Sequence, residues 1–181
     1  MSRRLAQGYD AEDSPLSAAT VPVVVAVGAN LGDREATVRE AIAEMARLPL
    51  TELVTAAAPR ESVALTLDGP DESAPAYLNT VALLRTRLAP TVLLDYLHAI
   101  EARHGRTRAT GAPRWQSRTL DLDLIVYGDL QTDSATLTVP HPRAAERDFV
   151  LAPWLDVDPD AMLPGRGSVR DLLALIGGDD R

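Results

Sequence analysis

The chain has 181 residues and a mass of 19.4 kDa, a length typical of one domain with short appendages. Its 46% hydrophobic and 24% charged residues are close to the average of globular proteins and exclude global disorder. The formal net charge of −8 disfavours binding along a nucleic acid, and no apolar stretch reaches the roughly 20 residues of a membrane span. We therefore expect a cytoplasmic protein that binds neither nucleic acid nor membrane.

Cysteine and lysine are both absent, and all 18 basic residues are arginine. The lack of cysteine excludes disulfides, thiolate nucleophiles and cysteine-ligated metal sites. The lack of lysine excludes a Walker A loop, the strand lysine of protein kinases and Schiff-base chemistry. Several large enzyme classes are therefore excluded by composition alone.

The first part of the chain predicts a tail, a strand and a helix. Residues 1–20 show no periodicity, so we expect a flexible tail there and a single domain over residues 21–181. The β-branched run at residues 22–28 predicts a buried strand. Asp33 can cap a helix that ends near Pro49. The core positions of that helix recur at helical spacing and are Val38, Ala41, Ile42 and Met45.

Two strands and a second helix are predicted next. Residues 53–58 and 78–86 have strand composition, and the Gly- and Pro-containing residues 68–75 between them predict a long loop. Pro90 suits the first position of a helix that runs to about His104 and closes at Gly105. The core face of this helix is formed by Leu93, Leu97 and Ile100.

Residues 119–127 alternate cleanly and predict a strand with two different faces. One face carries Leu120, Leu122, Leu124 and Val126, and the other carries Asp121, Asp123, Ile125 and Tyr127. Further along, residues 137–139 predict a short strand, residues 143–157 predict a broken helix, and Ser168 with Asp171 predicts a capping box. The order β-α-β-β-α-β predicts a ferredoxin-like α+β core: a mostly antiparallel sheet covered by helices, with a C-terminal extension.

Asp121 and Asp123 are two residues apart on this strand, so both carboxylates project from one face with Cβ atoms roughly 6 to 7 Å apart. Magnesium prefers hard oxygen ligands and is normally held by one or two carboxylates together with substrate phosphates. Acidic pairs also occur on solvated strand faces, although Asp is depleted in strands. The pair therefore predicts a Mg²⁺ site.

A basic segment precedes this strand. Residues 103–118 contain five arginines and no acidic residue, so the segment carries +5 and the rest of the chain −13. These arginines are Arg103, Arg106, Arg108, Arg114 and Arg118. Arginine binds phosphate oxygens with a planar fork of donors, which predicts an anion-binding loop, with a solvated loop as the alternative. Trp115 is either a lid residue of that loop or an ordinary core residue.

A few further residues have side chains suited to ligand binding. His141 lies between two prolines and can donate to a phosphate, and Arg147 follows six residues later. Tyr77 and Phe149 can enclose a flat heterocycle, and Asn79, on the same strand face as Tyr77, offers it a donor and an acceptor. A structural histidine and two core rings are the alternatives. The glycine turn at residues 28–33 matches neither a dinucleotide fingerprint nor Walker A.

Four segments together resemble 6-hydroxymethyl-7,8-dihydropterin pyrophosphokinase of folate biosynthesis, over about residues 22–165. The motifs are VAVGANLGD, YLNTVALLRT, RWQSRTLDLDLIVYGD and LTVPHPRAAERDFVL. The resemblance implies transfer of pyrophosphate from ATP to the pterin hydroxymethyl group with release of AMP. It departs from the usual Tyr-x-Thr/Ser-x-Pro loop, which here is Arg60-Glu61-Ser62-Val63-Ala64.

The resemblance also implies residue roles. Two Mg²⁺ ions would be held by Asp121 and Asp123. Charge on the departing AMP would be balanced by the catalytic residues Arg106, Arg108 and Arg118. ATP would be bound by Arg108, Arg114, Trp115, Arg118, Thr138, His141 and Arg147. The pterin would be bound by Ser62, Tyr77, Asn79 and Phe149. ATP acts as co-substrate, and we expect a monomer.

Two other functions are compatible with parts of the sequence. A nucleotidyltransferase or phosphohydrolase can use the same Asp-x-Asp strand but releases a different leaving group. A non-catalytic RNA-binding module on a ferredoxin-like sheet needs exposed aromatics and a basic face, which the −13 balance outside the basic segment disfavours.

Overall fold

The computed structural model describes residues 19–66, 69–71, 75–105 and 119–178. Apart from residues 19 and 20, the predicted N-terminal tail lies outside the described residues. The helices are α1 Arg34–Met45, α2 Pro90–Arg103, α3 Asp148–Val157 and α4 Val169–Gly178, with a 3₁₀ helix at Ala144–Glu146. The strands are β1 Val21–Ala29, β2 Thr51–Ala56, β3 Arg60–Ser62, β4 Ala64–Thr66, β5 Gly69–Asp71, β6 Tyr77–Thr86, β7 Asp121–Tyr127, β8 Thr132–Asp133, β9 Thr138–Val139, β10 Met162–Leu163 and β11 Gly167–Ser168.

The main sheet has the strand order β2-β6-β1-β7, and neighbouring strands are antiparallel. Strand β3 pairs with the first three residues of β6, beyond the end of β2. The predicted α+β fold, with two helices inserted into an antiparallel sheet, is confirmed. In the described part of the chain, none of the helices combines the length and apolar character of a membrane span.

Local signals set the start of α1 and both ends of α2 as predicted, whereas α1 ends at Met45, before the expected Pro49. The Asp33 carboxylate accepts a hydrogen bond from the backbone N–H of Ala36 at 2.9 Å and caps α1. Helix α2 begins at Pro90 and is followed by Gly105 at φ +83°, a conformation that favours glycine. Part of the predicted loop at residues 68–75 is instead a strand, because β5 pairs with β4.

One face of the sheet is covered by α1 and α2. Met45 from α1 and Leu93, Leu97 and Ile100 from α2 are fully buried against the valines of β1. Each such side chain contributes about 1.5 to 3 kcal/mol relative to an exposed one. This apolar layer fixes the position of β1 and β7, which carry the carboxylates described below.

The C-terminal extension covers only part of the opposite face of the sheet. Val24, Val81 and Ile125 from the sheet pack against Leu151 and Trp154 of α3, with α4 behind them. The 3₁₀ helix and α3 form the predicted broken helix. The uncovered remainder of this face carries polar side chains.

The alternation predicted for β7 is wrong at its last residues. Val24 pairs with Val126 and Val25 pairs with Leu124, so Ile125 is an extra residue in a β-bulge. After the bulge the faces exchange. Val126 packs with the second cluster and Tyr127 packs against the first, where its hydroxyl donates to the carbonyl of Leu88.

Candidate active site

Asp121 and Asp123 lie at the start of β7, on the sheet face that α3 and α4 leave open. Their register partners on β1 are Gly28 and Ala26. Because these partners have little or no side chain, the two carboxylates border a shallow surface. The side chain of Asp123 is 31% exposed, so it can be reached by a ligand.

The two carboxylates fit the oxygen donor set of Mg²⁺, in which one or two protein carboxylates suffice. Within the described ranges, no cluster of three or more His, Asp or Glu side chains could hold a metal ion. The remaining ligands of an ion at Asp121 and Asp123 would therefore be water and the oxygens of a bound phosphate. Such an arrangement would couple metal binding to the binding of a phosphate-containing ligand.

Two side chains from the segment that follows β9 also lie beside the Asp123 carboxylate. The guanidinium of Arg147 donates from Nη1 to its Oδ2 at 2.8 Å, and both side chains are less than one-third exposed. Nε2 of His141 lies 3.8 Å from the same oxygen. Cationic and proton-donating groups thus lie next to the carboxylates. An anionic ligand that a metal ion links to these carboxylates needs such donors for its remaining oxygens.

His141 is held so that one nitrogen points into the site. Its backbone N–H donates to the carbonyl of Ile125 at 2.9 Å, and its Nδ1 accepts from the backbone N–H of Arg143 at 3.2 Å. A neutral ring with Nδ1 as acceptor carries its proton on Nε2. Burial lowers the pKa of His141, and the charges of Arg147 and Arg143 add to this against the opposing effect of the aspartates. His141 is therefore suited to donate a neutral hydrogen bond near pH 7.

Asn79 and Ser62 form a polar pair on the same face, on the other side of β1. Nδ2 of Asn79 donates to Oγ of Ser62 at 2.7 Å. Its Oδ1 lies directly above Gly28, where a Cβ atom would be only 2.8 Å from it. Gly28 is thus required for the close approach of the amide, a role that the sequence motif did not reveal.

Tyr77 and Phe149 reach this region from different elements. Tyr77 is two residues before Asn79 on β6, and its Cδ1 would lie 3.9 Å from a Cβ at position 28. Phe149 is in the first turn of α3, which packs against β6 and β3, and the Arg147 guanidinium lies 5.6 Å from its ring centre. Both rings are half-buried. Their predicted role in enclosing a heterocycle stays a prediction.

A pocket of about 240 Å³ adjoins Asp123 on the side of α2, and Thr138 and His141 line it. Glu101 also lines it and is 1% exposed, and its Oε1 accepts the backbone N–H of Leu122 at 2.9 Å, which compensates for its burial. The sequence analysis missed Glu101. A signal was present, since an acidic residue stands four positions after Leu97 on the core face of the helix.

The predicted loop residues cannot be placed. Residues 106–118 lie outside the described residues. They include the predicted ATP-binding and catalytic residues Arg106, Arg108, Arg114, Trp115 and Arg118.

Comparisons with known proteins agree with one another. Residues 24–159 match the family model described as 7,8-dihydro-6-hydroxymethylpterin-pyrophosphokinase. A Pseudomonas aeruginosa 2-amino-4-hydroxy-6-hydroxymethyldihydropteridine pyrophosphokinase is 41% identical over 152 residues, which are 84% of this chain and 90% of the relative. The enzyme of the same name from Haemophilus influenzae is 35% identical over 153 residues, 84% of this chain and 91% of the relative.

Solved structures give the same fold at much lower identity. An HPPK-DHPS crystallised in complex with substrates superposes with a TM-score of 0.67 and 11% identity, over 90% of this chain and 44% of that one. Wild-type Plasmodium falciparum HPPK-DHPS superposes with a TM-score of 0.59 and 10% identity, over 86% of this chain and 41% of that one. This chain thus spans less than half the length of these two proteins, and the likeness concerns the fold.

Proposed function

The chain belongs to the 7,8-dihydro-6-hydroxymethylpterin-pyrophosphokinase family, and we propose that it transfers pyrophosphate from ATP to the hydroxymethyl group of 6-hydroxymethyl-7,8-dihydropterin in folate biosynthesis. AMP is the second product. We assign the activity to one domain over residues 21–181, which acts as a cytoplasmic monomer on small molecules, without nucleic acid or membrane.

One observation in particular supports the proposal. Gly28 pairs with Asn79 on one side and with Asp121 on the other. Directly paired residues of antiparallel strands project to the same face, and two strand spacings separate the outer two by roughly 10 Å. At this separation, a flat heterocycle can bind at the amide of Asn79 while its reacting hydroxymethyl group lies near the carboxylates of Asp121 and Asp123.

On the phosphate side, we assign two Mg²⁺ ions to Asp121 and Asp123. Bound Mg²⁺ neutralises charge on the triphosphate and orients it for displacement. Arg147 and His141 adjoin Asp123, so they donate to phosphate oxygens from the protein side. Thr138 and the pocket beside it hold the nucleoside. Arg106, Arg108, Arg114, Trp115 and Arg118 complete the ATP site from the basic segment.

On the pterin side, Asn79 reads the edge of the heterocycle with Ser62 as its hydrogen-bond partner. Tyr77 and Phe149 provide the two ring faces. The pterin hydroxyl oxygen forms a bond to the β-phosphorus while the bond from that phosphorus to the oxygen of AMP breaks, and the hydroxyl proton passes to solvent. The residues act mainly by positioning the two substrates and by stabilising charge.

The test is to incubate the purified chain with ATP, Mg²⁺ and 6-hydroxymethyl-7,8-dihydropterin and to separate AMP from ADP. We expect AMP that requires the pterin and that is lost in Asp121→Ala. The matched control is Asp129→Ala, which removes an exposed carboxylate just after β7 and should leave AMP formation unchanged. Pyrophosphate or phosphate release without pterin would instead identify a nucleotidyltransferase or phosphohydrolase.

A further inference from the structure

Strand β3 is held to two neighbouring elements by ion pairs on opposite sides. Nη2 of Arg60 donates to both carboxylate oxygens of Asp156 in α3, at 2.8 and 2.7 Å. Nη2 of Arg34 in α1 donates to Oε1 of Glu61 at 2.7 Å. We refer to these two pairs, Arg60–Asp156 and Arg34–Glu61, as the β3 clamp.

The strand itself has little else to hold it in place. It is three residues long, and among the described residues it pairs only with β6, in the register Arg60 with Asn79 and Ser62 with Tyr77. Arg60 and Glu61 are exposed, and none of its residues belongs to either apolar cluster. A short strand with so little apolar burial opens locally at low free energy.

Arg34 makes a second contact that points to positioning. Its Nη1 donates to the carbonyl of Ala76 at 2.7 Å, and Ala76 immediately precedes Tyr77. One guanidinium therefore joins the start of α1, the strand β3 and the start of β6. A cation in the first turn of a helix opposes the helix dipole, so the cross-link, and not the stability of α1, explains an arginine at this position.

The contacts of β3 determine the orientation of the amide at the pterin side. Ser62 is the acceptor for Nδ2 of Asn79, and this bond leaves Oδ1 above Gly28. If β3 separates from β6, Ser62 withdraws and the amide can rotate. The segment from β3 to the start of β4 is also where the chain departs from the loop pattern of its family, with Arg60 in place of Tyr and Ala64 in place of Pro.

We propose that Arg34 and Arg60 are positioning residues for the pterin: the β3 clamp keeps Ser62 hydrogen-bonded to Asn79 and so keeps the amide oriented toward the heterocycle. The inference rests on the proposed function, because it assigns the pterin to Asn79. The clamp should affect the affinity for the pterin and should not affect the binding of ATP.

The test compares Arg60→Gln and Arg34→Gln with the wild-type chain. The matched control is Arg39→Gln, which removes an exposed arginine from α1 away from the site. The affinity for 6-hydroxymethyl-7,8-dihydropterin is measured by calorimetry with Mg²⁺ and a non-hydrolysable ATP analogue, and the pterin KM and kcat are measured by AMP formation. Hydrogen exchange of residues 60–62 is followed by mass spectrometry.

Each variant should bind the pterin about fivefold more weakly, in the range expected for the loss of one well-formed surface ion pair. The affinity for the ATP analogue and kcat should stay within about twofold, and residues 60–62 should exchange faster. The difference from wild type should shrink as salt is raised, because exposed pairs are screened. Arg60→Glu combined with Asp156→Arg should recover part of the affinity.

Unchanged pterin affinity or unchanged exchange of residues 60–62 in both variants would overturn the clamp. A loss of kcat as large as the loss of affinity would also overturn it, since that would indicate general damage. If the wild-type chain binds the pterin but forms no AMP, the proposed reaction fails while the binding and exchange measurements still decide the role of the clamp.

Discussion

The two ends of one sheet face are built from the same three strands and have opposite properties. At the covered end, Val24, Val81 and Ile125 pack against α3. Two residues earlier in β6 and β7, Asn79 and Asp123 replace the apolar side chains; Asn79 is 7% exposed, and the side chain of Asp123 is 31% exposed. The covered end stabilises the fold, and the open end carries the polar side chains to which we assign ligand binding.

The difference shows how the fold separates stability from chemistry without a second domain. Helix α3 begins at the boundary: its first turn supplies Phe149 to the open end, while Leu151 and Trp154 seal the covered end. A single helix therefore fixes the polar groups at one end through the apolar packing at the other. Substitutions at the two ends should affect different measurable quantities.

The largest effect is expected at the open end, from Asp123→Asn. Loss of the carboxylate charge removes a ligand of the proposed Mg²⁺ site and should lower the rate of AMP formation about a thousandfold. The free energy of unfolding should change by no more than about 1 kcal/mol, because the side chain is partly exposed and Asn still accepts from Arg147. A rate assay and urea denaturation of the same sample measure the two quantities. A parallel loss of activity and stability would contradict the assignment of these two properties to different ends of the sheet face.

At the covered end, Leu151→Ala should give the reverse result. Leu151 is fully buried, and its truncation should lower the free energy of unfolding by about 3 kcal/mol. At a temperature where the variant is folded, kcat should stay within about threefold of wild type. The control is Leu175→Ala in α4, where the side chain is 73% exposed and the change should be within about 0.5 kcal/mol.

Gly28→Ala tests the close approach of the Asn79 amide to β1. The added Cβ would lie 2.8 Å from Oδ1 of Asn79, so the amide must move and its bond to Ser62 must weaken. Loss of about one hydrogen bond predicts a roughly tenfold rise in the pterin KM. Gly177→Ala is the matched control, because a Cβ there meets no neighbouring atom among the described residues. An unchanged pterin KM in Gly28→Ala would show that the amide is not used.

The smallest effect is expected far from both ends, at Glu44 of α1. Burial raises the pKa of Glu44, but the hydrogen bonds from Arg103 and His104 outweigh it and place the pKa below the ordinary 4.5. A carboxyl with a lowered pKa in the folded state stabilises the fold above pH 4.5, and this contribution is lost as the pH falls through the folded-state pKa.

Glu44→Gln should therefore reduce stability by less than about 1 kcal/mol at pH 7 and leave it unchanged at the acid end. Thermal unfolding of both proteins between pH 3 and pH 7 measures the difference. A difference that grows toward low pH would show that the sign is wrong.

Local patterns were enough to predict most of the fold. The alternation at Asp121 and Asp123, the cap at Asp33 and the glycine after α2 each depend on neighbours in sequence, and the structure has them as expected. The bulge at Ile125 was not predictable in this way, because it depends on how β1 and β7 pair, and it moved Val126 to the opposite face.

The contacts that orient the candidate site are non-local, which is why the sequence did not reveal them. Arg60 and Asp156 are 96 residues apart, and Arg34 and Glu61 are 27 apart. Nothing in the local pattern of either partner specifies the other. Likewise, the approach of Asn79 to Gly28 requires the register of β1 on β6, whereas the glycine motif alone indicated only a turn.

The burial of Trp154 has an optical consequence. Its ring is 2% exposed at the covered end, and its indole N–H has no hydrogen-bond partner among the described residues. An indole in such apolar surroundings emits at short wavelength, and the chain has only one other tryptophan, Trp115. In a Trp115→Phe protein, the emission of Trp154 would therefore shift to longer wavelength when α3 separates from the sheet. It would stay constant when ligands bind at the open end.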